Sequence, residues 1–112
     1  MEIQDPGYAR NVVPVGPVLV AASGQALTCV ADKTDYNVTV TAEAAYEVTA
    51  VNGRLHLGVA AVAAAAAIVP AAVLLTIPAG CSKRFIMPDG ETTLHYATDS
   101  GAGITGRIAC VG

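Results

Sequence analysis

Tryptophan is missing from this chain, phenylalanine occurs once, and four tyrosines complete the aromatic set. A sugar-binding or base-stacking face built from several aromatic rings is therefore poorly supplied. Charge is scarce as well, at 13% of residues against a norm of about 25%. The six basic residues are scattered, with no Lys/Arg run and a formal net charge of −3. Nucleic acid and an anionic membrane surface are thus not expected partners. The three cysteines, Cys29, Cys81 and Cys110, form no C-x-x-C pair. Their odd number reads as free thiols in a reducing compartment, although one bridge is possible. Cys29 and Cys110 follow Leu27 and Ile108 at strand period and behave as small hydrophobes, whereas Cys81 follows a turn and is expected at the surface.

The opening Met1–Arg10 has neither a basic start nor an apolar stretch, so synthesis in the cytoplasm without a secretion signal is the expectation. On that ground the Asn37-Val38-Thr39 match to a glycosylation site reads as chance. From Leu55 to Ser82 no residue is formally charged, and Val59–Leu75 is almost wholly apolar. Alanine dominates its centre, Pro70 interrupts it and Thr76-Ile77-Pro78 ends it. Alanine drives membrane insertion far less than leucine or isoleucine, so a spanning helix is disfavoured. Ala60–Ala67 is read as a tightly packed loop or a short helix leading into a strand.

What is abundant is alternation, the signature of half-buried strands. Tyr36, Val38, Val40 and Ala42 alternate with Asn37, Thr39 and Thr41; Tyr46, Val48 and Ala50 alternate with Glu47 and Thr49. Asn52-Gly53 then signals a hairpin, with Leu55, Leu57 and Val59 returning on one face and Arg54 and His56 on the other. Strands are also expected at Gln25–Ala31, Val73–Ile77, Lys83–Met87, Thr92–Ala97 and Ile104–Cys110. Pro78-Ala79-Gly80, Pro88-Asp89-Gly90 and the Asp99–Gly103 loop separate the last four. Val12–Val20, broken by Pro14, Gly16 and Pro17, suits an edge strand or an extended arm. The expected fold is all-β: a small β-sandwich or jelly-roll-like barrel of about seven or eight short strands over residues 21–112, with an N-terminal arm over residues 1–20. An Ala/Val-rich interior buries little area per side chain, so contact with other subunits is expected to complete it.

Chemistry is thinly represented. His56 and His95 lie on polar strand faces without a further ligand at metal spacing, and read as solvated or interface histidines. Cys81 or Ser82 could meet His95 if their strands are adjacent, but Gly80-Cys81-Ser82-Lys83 is not a nucleophile elbow. Asp32 and Asp35, like Glu43 and Glu47, read as ordinary solvated turns. The glycines near Ser100–Gly106 precede a strand, not a helix, and form no phosphate cradle. No catalytic residue, cofactor or metal is assigned, and an enzyme is not expected.

The segments YEVTAVNGRLHLGV (46–59) and LLTIPAGCSKRFIMPDGETTLHYATDSGAGITGRIACV (74–111) resemble small virion proteins of tailed bacteriophages. The likeness lies in a threonine-rich strand, an LG strand, an IPAG-type turn, a TLHY-like strand and a closing strand after a glycine loop. It covers about three-fifths of the chain, and the alanine run departs from it, since a polar loop usually sits there. The resemblance implies a capsid decoration, or cement, protein: a β-sandwich, often a homotrimer, that clamps neighbouring major capsid subunits on the outside of the virion. It also implies that the arm makes the partner contact, through Ile3, Tyr8, Val12, Val13, Val15, Val18 and Val20. Other readings are a tail, adaptor or fibre-associated module, a bacterial adhesion or carbohydrate-binding module, and a small membrane protein.

Overall fold

The computed structural model describes residues 24–111, and the arm residues named above lie outside that range. Strands form at Gln25–Cys29 (β1), Tyr36–Thr39 (β2), Ala45–Ala50 (β3) and Leu55–Gly58 (β4). They continue with Ala63–Ala64 (β5), Ala67–Ile68 (β6), Leu75–Ile77 (β7), Ser82–Ile86 (β8), Thr93–Ala97 (β9) and Ile104–Cys110 (β10). Eight of them make two antiparallel four-stranded sheets, ordered β1-β10-β3-β8 and β2-β9-β4-β7. Among the described residues, the short β5 and β6 pair only with each other.

Setting that ribbon aside, almost every step along the chain changes sheet, from β1 to β2, β2 to β3, β3 to β4 and β7 through β10. The first strand thereby lies beside the last, and this interleaving is jelly-roll connectivity. The alternation read from the sequence supplies the facing layers. Leu27 and Cys29, Tyr46 and Val48, and Ile104 and Ile108 point inward from one sheet. Val38, Leu55, Leu57, Ile77, Leu94 and Tyr96 meet them from the other. Gly106 of β10 also faces inward, and the missing side chain matters there. A Cβ at that position would stand 2.6 Å from both Leu55 Cδ1 and the Thr49 carbonyl oxygen.

Two tyrosines fasten the turns that precede their own strands. The Tyr36 hydroxyl accepts the Ala31 N–H at 3.0 Å, and the Tyr46 hydroxyl accepts the Thr41 N–H at 2.8 Å. Each ring also packs on a neighbour, Tyr36 on Tyr96 and Tyr46 on Phe85.

Asn52-Gly53 does not close a hairpin. β3 and β4 lie in different sheets, and the dipeptide is the corner between them. The Asn52 side chain serves β10, donating to the Gly103 carbonyl at 3.1 Å and accepting the Thr105 N–H at 2.7 Å. Gly53 passes so close to Ile104 that an added Cβ would fall within 3.0 Å of it. These two residues suit a tight reversal, but their partners come from about fifty positions downstream, and long-range pairing chose the sheet.

The alanine run is neither helix nor plain loop. Ala63–Ala64 and Ala67–Ile68 form a ribbon closed by Ala65 and Ala66, at φ of 53° and 59°. Positive φ at both central residues is the geometry of a type I′ turn, which favours Asn-Gly. Alanine there carries a steric penalty of roughly 1–2 kcal/mol per residue. Helix formation would gain little over so short a stretch, while the ribbon places Val62 and Ala63 against Ala97, with Ile68, Ala72 and Val73 around them. The A65N/A66G double variant is therefore expected to raise stability by about 1–2 kcal/mol, read as a higher urea midpoint with an unchanged slope.

The 59–74 excursion lies on the outer face of the second sheet, which explains why β4 is buried along its whole length. Small residues make the space. A Cβ on Gly58 would collide with the Ala72 carbonyl oxygen and approach Val62 Cγ1.

Candidate functional site: an open apolar edge

At one side of the sandwich two edge strands run near each other. Among the described residues, β7 pairs only with β4, and β8 only with β3. Proline-containing corners put them there. Pro78-Ala79-Gly80 carries the chain from β7 to β8, with Gly80 at φ 77° and the Cys81 N–H donating to the Pro78 carbonyl. Pro88-Asp89-Gly90 then carries it back to the second sheet, with Gly90 at φ 79°.

Between these strands an apolar cleft of about 180 Å³ opens, floored by Leu57 and Leu94 and walled by Leu75, Phe85 and Met87. Two large apolar side chains lie exposed at its rim: Leu74 is 65% exposed and Ile86 is 70% exposed. Both break the alternation of their segments. The inward residues around β8 are Phe85 and Met87, and Ile86 points the other way. Leu74 precedes the inward series of β7. The out-of-phase hydrophobes in Leu74-Leu75 and Phe85-Ile86-Met87 were a usable signal that sequence reading passed over. Along the outside of β8, Ser82, Lys83 and Arg84 are exposed, and Arg84 Nε stands 3.8 Å from Glu47 Oε2.

The polar candidates occupy other places. His56 is buried, not solvated: Nδ1 is 3.0 Å from Thr76 Oγ1, and Nε2 is 3.3 Å from Asp99 Oδ1 but poorly aligned for a hydrogen bond. Asp99 Oδ1 also accepts from Arg54 Nε at 2.9 Å. Thr98 Oγ1 donates to the Arg54 carbonyl at 2.7 Å, and the Arg54 N–H donates to Ser100 Oγ at 3.0 Å. A hydroxyl, an imidazole and a carboxylate thus stand in a row, an order that acyl-transfer sites use. Here they join β4, β7 and the β9–β10 loop, and none of the three lines the apolar cleft. What the row does is clamp three segments together.

His95 is half-buried and pairs through Nδ1 with Asp35 Oδ2 at 2.9 Å, while Asp35 Oδ1 accepts the buried Val62 N–H at 2.9 Å. Asp35 is therefore not an ordinary solvated turn residue; it ties the 59–74 excursion to the sheet. Asp32 likewise reaches across the chain, accepting the Gly101 N–H at 3.0 Å beside its ion pair with Lys33. The proposed meeting of Cys81 or Ser82 with His95 does not occur, because β8 and β9 belong to different sheets. Ser82 Oγ instead bonds Thr49 Oγ1 at 2.6 Å. The three cysteines are free: Cys29 is buried, with burial pushing its thiol up to about 11, Cys110 is half-buried and Cys81 is exposed.

Two carboxyls are held below the usual range. Hydrogen bonding from Arg54 is the main cause for Asp99, and hydrogen bonding from Lys33, then the Gly101 N–H, for Asp32. A folded-state pKa below the unfolded one means that this stability is complete above about pH 4 and is lost as pH falls through the lower folded-state values. Thermal unfolding scanned from pH 6 to pH 2 is expected to show a Tm that falls below pH 4, and D99N should fall less steeply.

No protein family model, no curated protein and no solved structure matches this chain. Among the described residues no group of three or more His, Cys, Asp or Glu could hold a metal ion, and no helix is long and apolar enough to cross a membrane. The arm residues Ile3, Tyr8, Val12, Val13, Val15, Val18 and Val20 lie outside the described residues.

Proposed function

We propose that this chain is a non-catalytic structural protein that adds to the outside of a tailed-bacteriophage capsid and holds neighbouring major capsid subunits together. The observation that carries the reading is the open β7–β8 edge, where Leu74 and Ile86 present apolar surface at the mouth of a cleft. Exposed apolar surface beside a strand edge that has no partner among the described residues is suited to receiving another polypeptide. The narrower identity rests on the resemblance of residues 46–59 and 74–111 to small virion proteins. Those segments supply β3, β4 and β7 through β10, most of both sheets.

The mechanism is passive. A module that binds only where assembled subunits meet shifts the equilibrium toward the assembled shell by mass action. The test uses shells and unassembled major capsid protein of the phage that encodes the chain. The protein should co-sediment with shells to saturation, raise the temperature at which they come apart, and ignore unassembled subunits. Saturable binding to tails, or equal binding to free subunits, would sink the reading.

A further inference from the structure

We infer that the β7–β8 cleft receives the valine-rich segment before β1 from a second copy of this chain, so that copies join head to tail by exchanging arms. This rests on the reading above for the open edge as a receptor, takes up the homotrimer that the resemblance implies, and names the donor and the receptor of that self-contact.

The receptor selects against the simplest alternative. If two copies met β8 to β8 in antiparallel fashion about the strand centre, Arg84 would oppose Arg84 with Lys83 close by. Like charges directly opposite destabilise a strand pair. An uncharged strand avoids this, and residues 11–23 carry no charge. Within them Val18–Ala22 is free of proline and so can donate every backbone N–H, which Val12–Pro17 cannot. Its Val18, Leu19 and Val20 match the aliphatic rim formed by Leu74 and Ile86.

Reach decides between one copy and two. Across the first sheet Gln25 stands in line with Ile108, Val48 and Lys83. A strand added outside β8 lies four spacings from β1, about 19 Å. The chain from Leu19 to Gln25, fully drawn out, covers only about 20 Å. Within one copy that stretch would be consumed in crossing the end of the sandwich, with nothing left to run along β8. Supplied by a neighbour, it can lie along the edge for its full length. The contact joins two different surfaces, so repetition closes into a ring when the rotation permits.

Sedimentation of the full chain tests this with two variants, I86D at the receptor and L19D in the donor. Ile86 is exposed, so I86D should keep the wild-type circular dichroism spectrum and urea midpoint. Wild type is expected to sediment as a multimer and each variant alone as a monomer, with self-affinity reduced at least 100-fold. Mixed one to one, the variants should form a two-chain species, because the I86D arm and the L19D cleft are both intact. A monomeric wild type, variants that remain multimeric, or a mixture that stays monomeric would each overturn the exchange. A multimer that ignores shells would instead sink only the capsid reading, and a monomer that binds shells would sink only this one.

Discussion

Replacing Gly106, even by alanine, is expected to destabilise this fold strongly. Gly106 lies on β10, flanked by β1 and β3, at Leu27 on one side and Ala50 on the other. An added Cβ meets Leu55 Cδ1 and the Thr49 carbonyl oxygen, each at 2.6 Å. Leu55 is fully buried and has little room to retreat, and the Thr49 oxygen belongs to the backbone of the adjoining strand. Overpacking of this kind costs about 1–3 kcal/mol, so G106A should lower stability by that amount, and G106V by more. Urea titration followed by circular dichroism measures both. A G106A midpoint within error of wild type would show that the sheets separate more easily than the described packing allows.

The second large effect is expected at Asp35. D35A removes the acceptor of the Val62 N–H and leaves that buried donor unsatisfied, while His95 loses its partner. Loss of a hydrogen bond to a charged group, with a buried donor orphaned, costs about 1.5–3 kcal/mol. The damage should be local at first. Amide exchange is expected to quicken across residues 59–74 before it does in β10, because the excursion is attached through Asp35, Gly58 and a small apolar cluster, whereas β10 is paired on both sides. D35N keeps one acceptor oxygen and should retain part of the protection.

Period-two alternation made the strands legible, and the inward faces of β2, β3, β9 and β10 follow it closely. Sheet membership was not legible in the same way. Asn52-Gly53 has the composition of a hairpin turn, yet its side chain and close approach are committed to Gly103, Ile104 and Thr105. The histidine partners escaped notice for a similar reason. Asp35 and His95 are sixty residues apart, and His56 and Asp99 more than forty, so no local spacing could reveal them. The alanine run misleads because its propensity favours a helix, whereas Val62 and Ala63 gain more by covering Ala97. Of the open β7–β8 edge, only the doublets of adjacent apolar residues around Leu74 and Ile86 were visible, since an open edge is defined by what does not pair with it.

The position of β1 has a consequence for biosynthesis. Among the described residues its only partner is β10, the last strand of the sandwich, so β1 must wait for a strand synthesised much later. Contacts so distant in sequence slow productive folding and leave early strands unpaired in the meantime. A ribosome-stalled nascent chain ending before Ile104 should therefore remain protease-sensitive at Gln25–Cys29, and protection there should arrive only once Cys110 has cleared the exit tunnel.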